Sequence, residues 1–198
     1  MQDSVRAVTQ LLLQDLQLSG ASRHVSGNTV GSVSFSGCST SDPCVSATDG
    51  GARDAVRMRY LTSLRDAAGA CRTVDYTFSG TALQRSDVSC GVTSAPVTFA
   101  TDVQVLNLVF VCSDGRTVNT PSCPTPTATA ANPNPLPAYP RSVRVSLYTA
   151  SSASVPNAAA ASFRYTDAAG ASQTVSCPTR RVCFGVTQEV TLANLKDQ

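Results

Sequence analysis

Apolar residues recur at three- and four-residue steps near the start of the chain. Val5, Val8, Leu12 and Leu16 form one stripe with Leu11 beside it, while Gln10, Gln14 and Gln17 face away together with Arg6. This period predicts a helix over residues 3–19. Gly20 is placed to end it, because glycine takes the positive φ of a C′ residue without a Cβ clash. The pattern begins almost at Met1, with only Asp3 or Ser4 to cap it, and so reads as the second half of a helix that starts upstream.

Beyond Gly20 the period changes to two. The segments 103–112, 142–149 and 183–193 are the strongest strand candidates. In the second, Val143, Val145 and Leu147 alternate with Arg144, Ser146 and Tyr148, which predicts an antiparallel strand with one buried face. In the third, Phe184, Val186, Val190 and Leu192 oppose Thr187, Glu189 and Thr191; the first is apolar on both faces and reads as an interior strand. Shorter candidates are 29–35, 73–78 and 81–85, with tight turns at Ser79-Gly80 and Asp114-Gly115. The sequence Asp-Ala-Ala-Gly occurs at 66–69 and again at 167–170. Asp at the first turn position and Gly where φ is positive suit a hairpin tip in both places. Residues 121–140 hold seven of the eleven prolines; lacking N–H donors, they predict an exposed, partly polyproline-II loop. One helix followed by strands is an α+β arrangement with the helix covering a sheet face.

Composition narrows the chemistry. Hydrophobic residues make up 42% of the 198, enough for a core, and charged residues only 14%. There is no apolar run long enough to span a bilayer and no secretory n-region with an apolar segment behind it. Lys196, Glu189 and His24 are each the only residue of their type. Lysine Schiff bases, Glu pairs and multi-histidine metal sites therefore lack their raw material. No G-x-S-x-G elbow occurs. His24 reads as a surface or helix-exit residue, and neither a catalytic residue nor a cofactor is expected.

Eight cysteines stand at Cys38, Cys44, Cys71, Cys90, Cys112, Cys123, Cys177 and Cys183. No C-x₂-C pair offers two thiolates to one tetrahedral ion, so disulfides are favoured over zinc. The count leaves many connectivities open; the all-local order, 38 with 44, 71 with 90, 112 with 123 and 177 with 183, is the favoured one. Such bridges persist outside the reducing cytosol. The run Asp49-Gly50-Gly51-Ala52-Arg53-Asp54 faintly resembles a calcium loop but lacks the alternating ligands and terminal Glu of an EF-hand, and reads as a turn. Fourteen of the fifteen basic residues are Arg. Arg57 and Arg59 fall on one strand face, and with Arg65 and Arg72 they are the candidate anion- or DNA-binding residues. A net charge of +2 favours a solvated face or internal ion pairs instead. Tyr76, Phe78, Phe110 and Phe184 sit at apolar strand positions and are assigned to the core.

Four stretches carry a resemblance to a family. Residues 11–20, LLLQDLQLSG, look like the L-x-x-D-L-R-x-x-G helix end of type IV pilin-like proteins, in particular PilW-like minor pilins and the related J-type pseudopilins of type II secretion. Residues 73–85, TVDYTFSGTALQR, resemble that family's Y-x-L-x-G-x-x-L-x-R hairpin. Residues 97–111 resemble its L-x-x-x-V-x-x-L-x-F-x-Y strand. Residues 142–147, SVRVSL, and 181–194, RVCFGVTQEVTLAN, resemble its V-R-I-x-L and F-x-x-x-V-x-L-R-N strands. The resemblance covers about a third of the chain, in family order. It implies residues 1–20 as the end of a pilin helix and 21–198 as a β-rich head with the loop 121–140, working as a minor pilin or pseudopilin. Implied partners are other major and minor pilins, and the inner membrane through an upstream leader and transmembrane half-helix that this sequence does not contain. The precursor would face the periplasm, and the assembled filament the outside of the cell. A DNA-uptake or adhesion subunit on the same fold is the alternative.

Overall fold

The computed structural model describes residues 2–21, 23–26, 29–32, 44–62 and 71–195. Helix α1 spans Gln2–Leu18. A small hairpin follows, β1 (Arg23–Ser26) with β2 (Thr29–Ser32). The strand expected at 29–35 is thus β2, with 33–35 outside the described residues; His24 lies in β1, its side chain also outside them.

Two antiparallel sheets carry the rest. The first has the order β3-β4-β5-β6-β7, formed by Val45–Thr48, Ala55–Leu61, Cys71–Ser79, Ala82–Ser89 and Val97–Ala100. The second contains β8 (Val103–Cys112), β9 (Thr117–Val118), β10 (Pro140–Ala150) and β13 (Cys183–Thr191), in the order β13-β10-β8-β9. A separate hairpin, β11 (Ser162–Thr166) with β12 (Ser172–Ser176), lies between β10 and β13 in sequence. A 3-10 turn, Ala193–Leu195, ends the described chain. The expectation of a helix on a sheet is therefore met by one helix shared between two sheets: α1 lies against β4, β7, β13 and the 3-10 turn. No helix among the described residues is long and apolar enough to cross a membrane.

One core joins these parts. Val5, Val8, Leu12 and Leu16 of α1 are buried with Met58, Val74 and Leu83 of the first sheet and Leu106, Leu108, Phe110, Val145 and Leu147 of the second. β8 is buried at every position but Gln104 because it has sheet neighbours beside it and packing on both faces. The segment between β3 and β4 stitches the sheets together: Asp54 N donates to Leu106 O at 2.8 Å and Leu106 N donates to Ala52 O at 2.8 Å. A second, smaller cluster covers the other face of β8 and β10, where Tyr148 stacks on Phe163 with ring centroids 5.0 Å apart. Phe163 also fills the space a Cβ would take at Gly185 of β13.

The helix end is tied down twice. Gly20 has φ 78°, and its N–H donates to Arg59 O of β4 at 2.9 Å, while Leu61 N donates to Ala21 O at 2.8 Å. Asn194 of the 3-10 turn donates its side-chain amide to Gln17 O at 3.0 Å, satisfying a last-turn carbonyl.

Three disulfides are Cys71–Cys90, Cys112–Cys123 and Cys177–Cys183. They close the base of the β5–β6 hairpin, the exit from β8 and the link from β12 to β13. Cys44 is also disulfide-bonded; Cys38, its expected partner, lies outside the described residues. Residues 122–139 form no strand or helix. The Asp167–Gly170 repeat is the β11–β12 turn: Gly170 has φ 82° and donates to Asp167 O at 3.1 Å. Its counterpart at 66–69 lies outside the described residues.

Candidate functional site

Asp15 stands inside the apolar run of α1, one position from Leu16 and three from Leu12, so the stripe that packs on the sheets carries a carboxylate into the core. It is 2% exposed. A buried carboxylate needs partners, because desolvation costs several kcal/mol unless hydrogen bonds and an opposite charge replace water.

The first sheet supplies them through strand parity. The register pairs Val56 with Tyr76, Tyr60 with Arg72, Tyr76 with Arg85 and Val74 with Asp87. Tyr60, Arg72, Tyr76, Arg85 and Asp87 consequently share the face that looks at the helix. Tyr60 OH donates to Asp15 Oδ1 and Tyr76 OH to Oδ2, each at 2.7 Å. Arg85 donates to Oδ2 from Nε at 3.2 Å and from Nη2 at 3.1 Å. Its Nε also donates to the Tyr76 hydroxyl at 3.1 Å. Toward the solvent edge Arg85 Nη2 meets Asp87 Oδ2 at 3.0 Å, and Arg72 Nε donates to Asp87 Oδ1 at 2.7 Å. The chain of charges runs Asp15, Arg85, Asp87, Arg72, alternating in sign from core to surface.

The titration properties follow from this packing. Burial, reinforced by Asp15, pushes the Tyr60 and Tyr76 hydroxyls well above the ordinary phenol range. For Arg85 burial acts to lower the value, but Asp15, Tyr76 and Asp87 outweigh it and raise it. All three remain donors at any physiological pH. The cluster offers no nucleophile or proton shuttle; it is a fixed clamp between helix and sheet.

The other candidates fall elsewhere. Val5, Val8, Leu12 and Leu16 are between 0 and 4% exposed and face the core. Arg57 and Arg59 share the outward face of β4, where Arg57 Nε donates to Asp75 Oδ1 at 2.6 Å. Arg72 points to the opposite, helix-facing side, and Arg65 lies outside the described residues, so the four do not form one cluster. In the 49–54 turn, Asp54 accepts from Gly50 N at 2.9 Å and Leu108 N at 2.7 Å, and Asp49 from Gly51 N at 2.8 Å. Among the described residues no group of three His, Cys, Asp or Glu could hold a metal ion.

The sequence offers Asp15 and Arg85 only as letters of motifs and Tyr76 as a motif letter and core aromatic, and it does not single out Tyr60 or Asp87. An acid on the buried stripe of a helix was the available signal.

No family profile matches the chain. The pilin-like protein PilA3 of Thermus thermophilus is 38% identical over 205 residues, covering 99% of this chain and 79% of that protein. The type IV-like pilin TTHA1219, also of Thermus thermophilus, superposes with a TM-score of 0.58 at 14% identity, over 98% of this chain and 96% of that one. At that identity the superposition speaks for the fold, one helix shared by antiparallel sheets, and the relative at 38% identity speaks for descent. By both, this chain belongs to the type IV pilin-like proteins.

Proposed function

We propose that the chain is a minor pilin or pseudopilin, a structural subunit that assembles with other pilins into a type IV pilus or a related filament. The observation that carries this reading is the Asp15 clamp. A subunit held in a filament by its helix must pass load from helix to head, and a buried carboxylate gripped by Tyr60, Tyr76 and Arg85 makes that junction rigid. Packing of apolar helix stripes drives such bundles, with the sheets outward. The exposed face of α1, with Arg6, Gln10, Gln14 and Gln17, is left for neighbouring subunits. In this reading an apolar segment upstream of α1 holds the precursor in the inner membrane, with the head in the periplasm and later outside the cell. The disulfides suit that oxidising route. The role is mechanical, without catalysis.

The test is genetic. Deleting the gene should reduce the number of surface filaments seen by electron microscopy, and the wild-type gene should restore them where Asp15→Ala does not. Normal filament number and length in the deletion strain would overturn the reading.

A further inference from the structure

The loop between β9 and β10 has a composition unusual for an exposed surface. Between Arg116 and Arg141 there is no Asp, Glu, Lys or Arg. Surface segments ordinarily draw their solubility from such charges. Here residues 125–131 are threonine, proline and alanine alone, and Leu136 stands 85% exposed. The polar side chains in that stretch are the hydroxyls of Thr125, Thr127 and Thr129, all exposed.

The three threonines are not equivalent. Thr129 is folded into a turn: its N–H donates to Asn132 O at 3.0 Å, and its Oγ1 accepts from Asn132 N at 3.1 Å. Thr125 and Thr127 make no hydrogen bond to other described residues, from backbone or side chain. Prolines 124 and 126 flank Thr125, fixing their own φ near −65° and biasing the residue before each toward extended backbone. The loop is held at its ends, by the Cys112–Cys123 bridge and the Arg116 side chain on Pro124 O, and by Ser113 N on Tyr139 O at 2.9 Å. Two free hydroxyls therefore stand on a pre-extended segment clear of the core, which an enzyme groove can take at little entropic cost.

Such hydroxyls are acceptors for group transfer, and their surroundings select the group. A phosphate adds charge and orders a segment where a cation can pair with it; no basic residue stands inside this one. A neutral sugar needs no counter-charge and supplies the hydration that proline and alanine lack. Threonine-rich segments interrupted by proline are also the composition that carries O-linked glycans. We propose that Thr125 and Thr127 are O-glycosylated in the mature protein. The donor is a sugar held through its anomeric carbon on a diphosphate. Threonine Oγ1 attacks that carbon, and the new C–O bond forms as the bond to the diphosphate breaks. The diphosphate leaves with the electron pair, and the hydroxyl proton passes to a base of the transferase. The unmodified loop is open to proteases; the glycan shields it without touching the core. The site is independent of the clamp and of the filament reading.

The experiment is mass spectrometry of the full-length protein isolated from its own host, reduced and digested with trypsin to release residues 117–141. The expected result is a mass increment of whole sugar residues on this peptide, assigned to Thr125 and Thr127 by electron-transfer fragmentation. The double variant Thr125→Ala/Thr127→Ala should lose every increment, and Thr129→Ala should keep them. An unmodified peptide in the host protein would overturn the proposal. So would a phosphate increment in place of a sugar, or sugars that remain on the double variant.

Discussion

Asp15 and Arg85, 70 residues apart in sequence, meet at 3.1 Å where the helix crosses the first sheet. The pair is buried on the acid side and only slightly open on the base side, with side-chain exposures of 3% and 17%. Removing one member of such a pair strands the other, at a cost of about 3–5 kcal/mol, whereas replacing both by apolar groups can be nearly neutral. Arg85→Met should therefore lower the thermal midpoint by about 10 °C for a chain of this size. The double variant Asp15→Leu/Arg85→Met should recover more than half of that loss. A double-variant loss equal to the sum of the Asp15→Leu and Arg85→Met losses would mean that the two residues are not coupled.

Asp54 gives a pH dependence of definite sign. Burial raises its carboxyl to about 6 from 3.8, against the pull of hydrogen bonds from Leu108 and Gly50. The folded value lies above the unfolded one, so its stabilising contribution is complete below about pH 4 and is lost as pH rises through 6. Asp54→Asn removes this titration. Apart from a constant offset, the variant should gain on the wild type by up to about 3 kcal/mol between pH 4 and 7. Urea unfolding at both pH values measures the gap; parallel stability curves would contradict the assignment.

Much of this fold was legible because alternation in a strand and a 3.6-residue stripe in a helix are local signals. β8, β10 and β13 show it, as do the Ser79-Gly80 and Asp167–Gly170 turns. The way the two sheets join was not legible, since it depends on the parallel contact of Arg53 with Leu106, far apart in sequence. The clamp was half visible. Tyr76 and Arg85 were motif letters, but their convergence on Asp15 requires the β4–β5–β6 register, which no local pattern states.

The disulfides should differ in weight. Loop closure makes a bridge worth more as the enclosed loop lengthens. Cys71–Cys90 spans 19 residues, Cys112–Cys123 spans 11 and Cys177–Cys183 spans 6. Paired Cys→Ser variants should lose about 3 kcal/mol for the first bridge and about 2 for the last. Non-reducing peptide mapping should recover these three pairs and find Cys38 joined to Cys44. Zinc in the purified protein, or titratable free thiols, would contradict this scheme.

The proline-rich loop should be thermodynamically idle. Between residues 125 and 137 the backbone bonds run between Thr129 and Asn132, and Leu136 is 85% exposed. Its anchors lie at the ends, where the Arg116 side chain donates to Pro124 O and Ser113 N to Tyr139 O at 2.9 Å. Limited proteolysis should cut here before any other internal segment of 71–195. Replacing 126–136 by a short Gly-Ser linker should leave the thermal midpoint within about 2 °C. A larger fall would show that the loop packs into the fold.

Duplex DNA should bind weakly. Phosphate recognition by arginine needs guanidinium groups that can leave their present partners, and here Arg57 holds Asp75 at 2.6 Å while Arg72 holds Asp87 at 2.7 Å. The two sit on opposite faces of the first sheet, so a single groove cannot take both. A net charge of +2 adds little steering. Each neutralised phosphate lowers log affinity by about 0.9 per tenfold increase in salt. A protein that gripped DNA through these arginines would show a steep slope, flattened by Arg57→Ala or Arg59→Ala. The expected result is a dissociation constant of about 10⁻⁴ M or weaker near physiological salt, the level of non-specific contact, with no change in either variant. Tight, salt-sensitive binding, together with normal filaments but lost DNA uptake in the deletion strain, would instead identify a DNA-uptake subunit built on the same fold.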